Sequence, residues 1–234
     1  MTGAHGTTAP LGPALAVTHA DFLASRPVGA DEDVHMIPAV VDHIIERCSA
    51  PGDLVFDPFA GFGTTLERAV ALERRAMGIE LLPERVADIR ERAPGAQVAE
   101  GDAREMLRVA ARALPSLRRG EVDLILTSPP YMTETHHDAD PLTAYEETDG
   151  DYTRYLRELG LVAAQCAEVL KPGGFMVWNV GDIHHMGHTT RLIADCARVL
   201  QQHFSEVSAT RISWDVLPHD LVADALLVAR TPAG

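Results

Sequence analysis

Short apolar runs alternate with longer amphipathic stretches along this chain, and that alternation predicts strands followed by helices over most of its length. Pro38 takes a first helical position, and Val40, Val41, Ile44, Ile45 and Cys48 recur at helical spacing until Pro51 and Gly52 end the pattern. Leu54, Val55 and Phe56 form an apolar triplet between turn formers, which suits a strand buried on both faces. The pattern then predicts helix 64–73, strand 76–80, helix 83–92, strand 97–100, helix 103–114 and strand 122–127. After a long polar loop come helix 152–170, strand 175–180, helix 188–203 and two last strands, 207–214 and 223–229. No helical stretch separates that last pair, so the two strands are expected to lie antiparallel at one edge. This order specifies an α/β, Rossmann-like fold: a mostly parallel sheet with helices on both faces.

Residues 1–34 are rich in Ala, Gly, Thr and Pro and read as a flexible amino-terminal arm, with a short ordered piece near Ala20 to Ala24 at most. Residues 35–234 read as one domain, and 46% hydrophobic content is enough for one sizeable core. The sequence has neither an uninterrupted apolar run of membrane-spanning length nor a signal-peptide pattern, so the expected location is cytoplasmic, with no membrane partner. Cys48, Cys166 and Cys196 are far apart and odd in number, which fits buried free thiols rather than a disulfide framework. A formal charge of −14 works against unaided binding of a phosphate backbone, where a basic face normally displaces counterions.

In open parallel sheets, ligands bind beyond the carboxyl ends of the strands, and three of these ends are chemically unusual. After the first predicted strand of the domain stands Asp57-Pro58-Phe59-Ala60-Gly61-Phe62-Gly63-Thr64-Thr65. Gly61 and Gly63 let backbone approach a ligand closely, and Thr64 or Thr65 can cap the helix or bond the ligand. Glu80 closes the next strand, where a carboxylate can accept both hydroxyls of a ribose. Asp102, followed by Ala103, can accept an adenine amino group or cap the following helix. Together these ends describe an adenosine site. A full pyrophosphate fingerprint is absent, because Gly63 is followed by Thr64, Thr65 and Leu66.

Thr127-Ser128-Pro129-Pro130-Tyr131 follows the strand at 122–127 directly. Exocyclic amines of nucleobases are weak nucleophiles because the ring draws in their lone pair. The Ser128 hydroxyl oxygen and the Pro129 carbonyl can accept the two N–H bonds of such an amine, favour a pyramidal nitrogen and aim its lone pair. Pro129 and Pro130 stiffen the corner and supply no competing amide hydrogen, while the Tyr131 ring can stack on a flat base.

DPFAGFGTT at 57–65 together with TSPPY at 127–131 resembles the S-adenosylmethionine-dependent amino-methyltransferases that make N4-methylcytosine and N6-methyladenine in DNA. The resemblance spans roughly residues 35–230 and implies a seven-stranded sheet with a reversed final strand. It implies S-adenosylmethionine as cofactor, held by His35, Pro38, Asp57, Phe59, Ala60, Gly61, Gly63, Thr64, Thr65, Glu80, Asp102 and Ala103. It also implies methyl transfer at Ser128, Pro129, Pro130 and Tyr131, with no metal. Serine at position 128 is similar to the cytosine-N4 branch, whereas many adenine-N6 members carry Asp or Asn there. The expected acceptor is thus a nucleic-acid base, DNA first. RNA guanine N2 and a small-molecule amine are alternatives, and an inactive cofactor-binding partner subunit is a third. The DNA enzymes carry a sizeable target-recognition segment that has no counterpart here, so a separate specificity subunit or a homodimer would have to supply such contacts.

Seven carboxylates and no Lys or Arg lie between Met132 and Asp151, which suggests an acidic lid beside the catalytic corner. His136 and His137, with His184, His185 and His188, form two histidine-rich loops whose spacing matches no standard zinc pattern. Tyr152, Tyr155 and Trp214 are expected to pack in the core.

Overall fold

The computed structural model describes residues 10–27, 35–135, 140–144 and 150–232. The chain begins with strand β1 (Ala14–Val17) and helix α1 (His19–Ala24), then helix α2 (Pro38–Cys48) leads into strand β2 (Leu54–Asp57). Helix α3 (Thr64–Ala71), strand β3 (Arg75–Glu80), helix α4 (Pro83–Arg92) and strand β4 (Gln97–Glu100) follow. A single 3-10 turn, Ala103–Glu105, leads into helix α5 (Met106–Ala113) and strand β5 (Val122–Thr127). Helix α6 (Tyr152–Val169), strand β6 (Leu170–His185), strand β7 (His188–Thr190) and helix α7 (Leu192–Gln201) come next. Strands β8 (Glu206–Trp214) and β9 (Leu221–Arg230) complete the order.

Among the described residues one sheet holds all the strands, in the order β1-β8-β9-β6-β5-β2-β3-β4, with β7 paired to the far end of β6. Neighbours from β6 through β5, β2 and β3 to β4 are parallel, whereas β9 runs antiparallel to both β6 and β8. The class is the expected one, but among the described residues the sheet has nine strands rather than seven. β1 is the first addition, pairing parallel with β8, so the last two strands of the chain do not form the sheet edge. Its sequence, ALAV, offers no alternation to read, and the pairing comes from a partner some two hundred residues away. β7 is the second addition: helix 188–203 was expected, but residues 188–190 fold back on β6 and α7 starts only at Leu192. Met186 and Gly187 both have positive φ at this hairpin tip, a primed two-residue turn whose first residue is not one of its usual formers.

Consecutive strand residues feed opposite faces, which is why the central strands read as continuous apolar runs. Phe56, Ile125 and Trp178 pack under α5, α6 and α7 with Met106, Tyr155 and Leu200. Their neighbours Val55, Leu124 and Val177 pack on the other face with Ile44, Leu66 and Ile89 from α2, α3 and α4. Burying each large side chain of this kind contributes about 1.5–3 kcal/mol, so the central strands are held firmly from both sides. Lys171, the only lysine, bonds Asp123 at 2.6 Å where a bulge shifts the β5–β6 register. No helix among the described residues is long and apolar enough to cross a membrane.

Candidate active site

The strand order reverses between β2 and β5, since the chain runs outward from β2 to β3 on one side and from β5 to β6 on the other. A crevice forms at such a point, and a cavity of about 670 Å³ opens there. Thr127 at the end of β5 donates to Asp57 at the end of β2 at 2.5 Å, joining two motifs that lie 70 residues apart. Asp57 also accepts the Phe59 amide at 3.0 Å. Burial pushes the Asp57 carboxyl up to about 6, although these hydrogen bonds pull the other way.

On the β2–β3–β4 side, Glu80 projects into the cavity wall and is 7% exposed. It accepts the amides of Gly61 at 2.7 Å and Leu82 at 3.0 Å, which leaves its remaining lone pairs for a diol. Burial holds its carboxyl above the ordinary glutamate range, while the Leu82 and Gly61 amides and the Arg85 charge oppose that shift. Gly61 turns with φ of 55° beside the Glu80 carboxylate, so the loop is drawn onto the group that would bind a ribose. Asp102 lines the same cavity with Ala103, caps the 3-10 turn through the Arg104 amide, and pairs with the Arg104 guanidinium at 2.7 Å. Phe59, Ala60, Thr64 and Thr65 also line the wall. Gly63 and Pro38 lie outside the lining. Gly63 is the αL residue that starts α3, where an added Cβ would come within 2.6 Å of the Ile89 side chain, and Pro38 opens α2 behind Ile37. This donor set fits an adenosine: one buried carboxylate for two hydroxyls, a glycine-tight loop, and an acidic group beyond β4.

On the β5–β6 side, Ser128, Pro129, Pro130 and Tyr131 all line the cavity. The Ser128 hydroxyl donates to the Asn179 carbonyl at 3.3 Å, and the Tyr131 hydroxyl donates to the same oxygen at 3.1 Å. With its proton so used, the Ser128 oxygen has lone pairs left to accept from an amine. Tyr155 in α6 donates to the Pro130 carbonyl at 2.9 Å and steadies the corner from below. Burial keeps the Tyr131 phenol protonated well above its usual range.

Beyond this corner the cavity is walled by groups that sequence reasoning missed. Trp214 packs against the core as expected, but it also lines the cavity, and its ring meets that of Phe22 at 5.7 Å and 80°. Phe22 comes from α1 and stacks on His35 at 4.5 Å and 11°, and both rings line the cavity. Asn179 and Asp224 complete this wall. Two signals were present in the sequence: a carboxylate inside the apolar run of β9, and an asparagine inside the apolar run of β6. Arg85 is the only Lys or Arg lining the cavity among the described residues, and its guanidinium lies 4.4 Å over the Phe62 ring.

Of the acidic loop, Asp140 is buried, pairs with Arg154 at 3.1 Å and caps a 3-10 turn whose Pro141 and Leu142 line the cavity. His136, His137, Asp138, Glu146, Glu147 and Asp149 lie outside the described residues. His188 pairs with Glu134, His185 with Asp220, and His184 with Thr189. No group of His, Cys, Asp and Glu suited to a metal occurs among the described residues. All three cysteines are buried free thiols, and burial pushes the Cys48 thiol up to about 12.

The reversed strand, the glycine loop and the strand-end carboxylate belong to the fold of the S-adenosylmethionine-dependent methyltransferases. Within that class the chain belongs to the N6/N4 DNA methylase family, which it matches over residues 36–91 and 122–215, and its cofactor is S-adenosylmethionine. A 4-amino-L-phenylalanine/4-methylamino-L-phenylalanine methyltransferase of Streptomyces pristinaespiralis is 34% identical over 152 residues, covering 58% of this chain. The match spans 46% of that relative's length. A Burkholderia thailandensis 1,6-didemethyltoxoflavin-N1-methyltransferase with bound S-adenosylhomocysteine shares the fold, with a TM-score of 0.52, 16% identity, and coverage of 83% of this chain and 76% of that one. A 16S rRNA N2 methyltransferase of T. thermophilus, in complex with AdoMet and guanosine, has a TM-score of 0.54, 16% identity, and coverage of 87% and 45%.

Proposed function

We propose that this protein methylates a primary amine conjugated with an aromatic ring, and that the amine is carried by a free small molecule. The observation that carries this reading is the acceptor wall: aromatic rings and carboxylates, with Arg85 as the only cation lining the cavity among the described residues. A flat, phosphate-free acceptor suits that wall, and a polyphosphate backbone beside a chain of formal charge −14 does not. The Streptomyces pristinaespiralis relative, named for an aromatic amine, supports the same class of acceptor.

S-adenosylmethionine supplies an electrophilic methyl carbon on a sulfonium. The Glu80 carboxylate would hold the ribose of the cofactor, and the Gly61 turn would admit it alongside. Ser128 and Pro129 accept the two N–H bonds of the amine, so that its lone pair leaves the plane of the ring and points toward the cofactor side. As the carbon–nitrogen bond formed, the carbon–sulfur bond would break to leave a neutral thioether, and the cationic nitrogen would then release its proton to solvent, so no strong base is required. Orienting two reactants in this way lowers a barrier by up to ~7–11 kcal/mol.

A second reading, supported by family membership, keeps this chemistry and takes as acceptor a base flipped from DNA, cytosine N4 before adenine N6. The test is incubation with methyl-labelled cofactor and separate pools of small aromatic amines, duplex DNA and RNA. Label in the arylamine pool alone is the expected result. Label in DNA or RNA alone would replace the first reading, and cofactor binding without label in any pool would make the chain an inactive partner subunit.

A further inference from the structure

We propose that Asp224 is the positioning residue of the acceptor half, setting the catalytic corner and the aromatic wall at once through its two carboxylate oxygens. The proposal deepens the reading above and rests on it. Asp224 lies opposite Gly181 on β6 and opposite Ile212 on β8. Residues two positions along each neighbouring strand share its face, and these are Asn179 and Trp214. One carboxylate oxygen accepts from the Asn179 amide at 2.7 Å, and the other accepts from the Trp214 indole at 2.9 Å.

The first bond fixes the residue whose main-chain carbonyl receives both the Ser128 and the Tyr131 hydroxyls. The second fixes the plane of the ring that meets Phe22. Both partners are donors, so the bridging group must accept on both of its atoms. A carboxylate does so, whereas an amide turns a donor toward one of them. Burying this charge at 5% exposure works against stability, and burial pushes the Asp224 carboxyl up to about 6. The groups facing it are the neutral Asn179 amide from β6, the indole from β8 and the protonated Tyr131 phenol. A costly group that aligns two parts of one site is expected where function demands it.

Two variants test the proposal. Asp224→Asn should lower kcat by roughly tenfold to a hundredfold and raise the KM for the arylamine, with cofactor affinity by calorimetry unchanged. Trp214→Phe should raise that KM more than it lowers kcat, and should add little to KM in the Asp224→Asn background. A purely structural role would lower stability without this division between kcat and KM. A readout independent of turnover is the pair of indole N–H resonances, since the chain has only two tryptophans, Trp178 and Trp214. The Trp214 resonance should titrate with a midpoint of about 6, and this response should vanish in Asp224→Asn. Wild-type kinetics in Asp224→Asn, or an indole titration that survives the substitution, would overturn the proposal. Failure of the wild type to methylate any arylamine would overturn the acceptor reading instead, and the resonances would still decide the role of Asp224.

Discussion

The two halves of the cavity are built in different ways. On the β2–β3–β4 side, each strand contributes its own last residues and the turn that follows, so every contact lies within a few positions of a recognisable strand end. On the β5–β6–β9–β8 side, the wall draws on α1, the end of β6, the end of β8 and the start of β9, pieces up to two hundred residues apart. The first half repeats a general solution for holding an adenosine. The second draws together segments that are distant in the chain. A fold can thus keep its cofactor and change its substrate by altering one side of the sheet.

The sharpest way to separate the halves is to remove the Ser128 hydroxyl. Ser128→Ala should reduce single-turnover methyl transfer by roughly 100–1,000-fold, the scale of losing one preorganised hydrogen-bonding group, with cofactor affinity held. Undiminished transfer in that variant would mean that the corner does not receive the amine.

Asp57, at the boundary, links the halves to stability. Its carboxyl stands at about 6 against an ordinary 3.8, so the folded form holds its proton more tightly than the unfolded chain does. The stability this gives is complete below pH 4 and is lost as pH rises through 6. Asp57→Asn does not titrate, so its stability relative to wild type should improve between pH 4 and pH 7, by up to roughly 3 kcal/mol. Denaturant midpoints at the two pH values measure this, and a constant difference would contradict it.

Next in size is the cofactor half. Glu80→Gln should weaken cofactor binding roughly tenfold to a hundredfold and leave the rate at saturating cofactor near wild type. A fall in rate with unchanged affinity would instead put Glu80 on the acceptor side. The smallest effect belongs to the outer wall. Phe22→Leu keeps an apolar group but loses the ring contacts with His35 and Trp214, which are worth about 0.5–1.5 kcal/mol, so the arylamine KM should rise severalfold and cofactor affinity should hold. Equal weakening of both ligands would show that α1 does not discriminate between them.

The same division decided what could be read from the chain alone. The parallel core from β2 to β6 was legible because its strands are apolar on both faces and its turns carry Gly, Pro and acidic residues at fixed offsets. That Glu80, Asp102 and the Ser128 corner stand at strand ends around one cavity was legible for the same local reason. β1 was not, since ALAV becomes a strand only by pairing with β8. Trp214 looked like packing because nothing in its neighbourhood says that Phe22 comes to meet it or that Asp224 holds its indole. Asp102 was legible as a cap, but its ion pair with Arg104 was not. Long-range register, which placed Asp224 between Asn179 and Trp214, leaves no local trace in composition or periodicity.

A structure of the protein with S-adenosylhomocysteine and an unreactive arylamine bound together tests the division most directly. The ribose hydroxyls should lie on the Glu80 carboxylate, the acceptor ring against Phe22 and Trp214, and its nitrogen within hydrogen-bonding distance of the Ser128 oxygen. An acceptor ring on the Glu80 side, or a nitrogen out of reach of Ser128, would contradict the account.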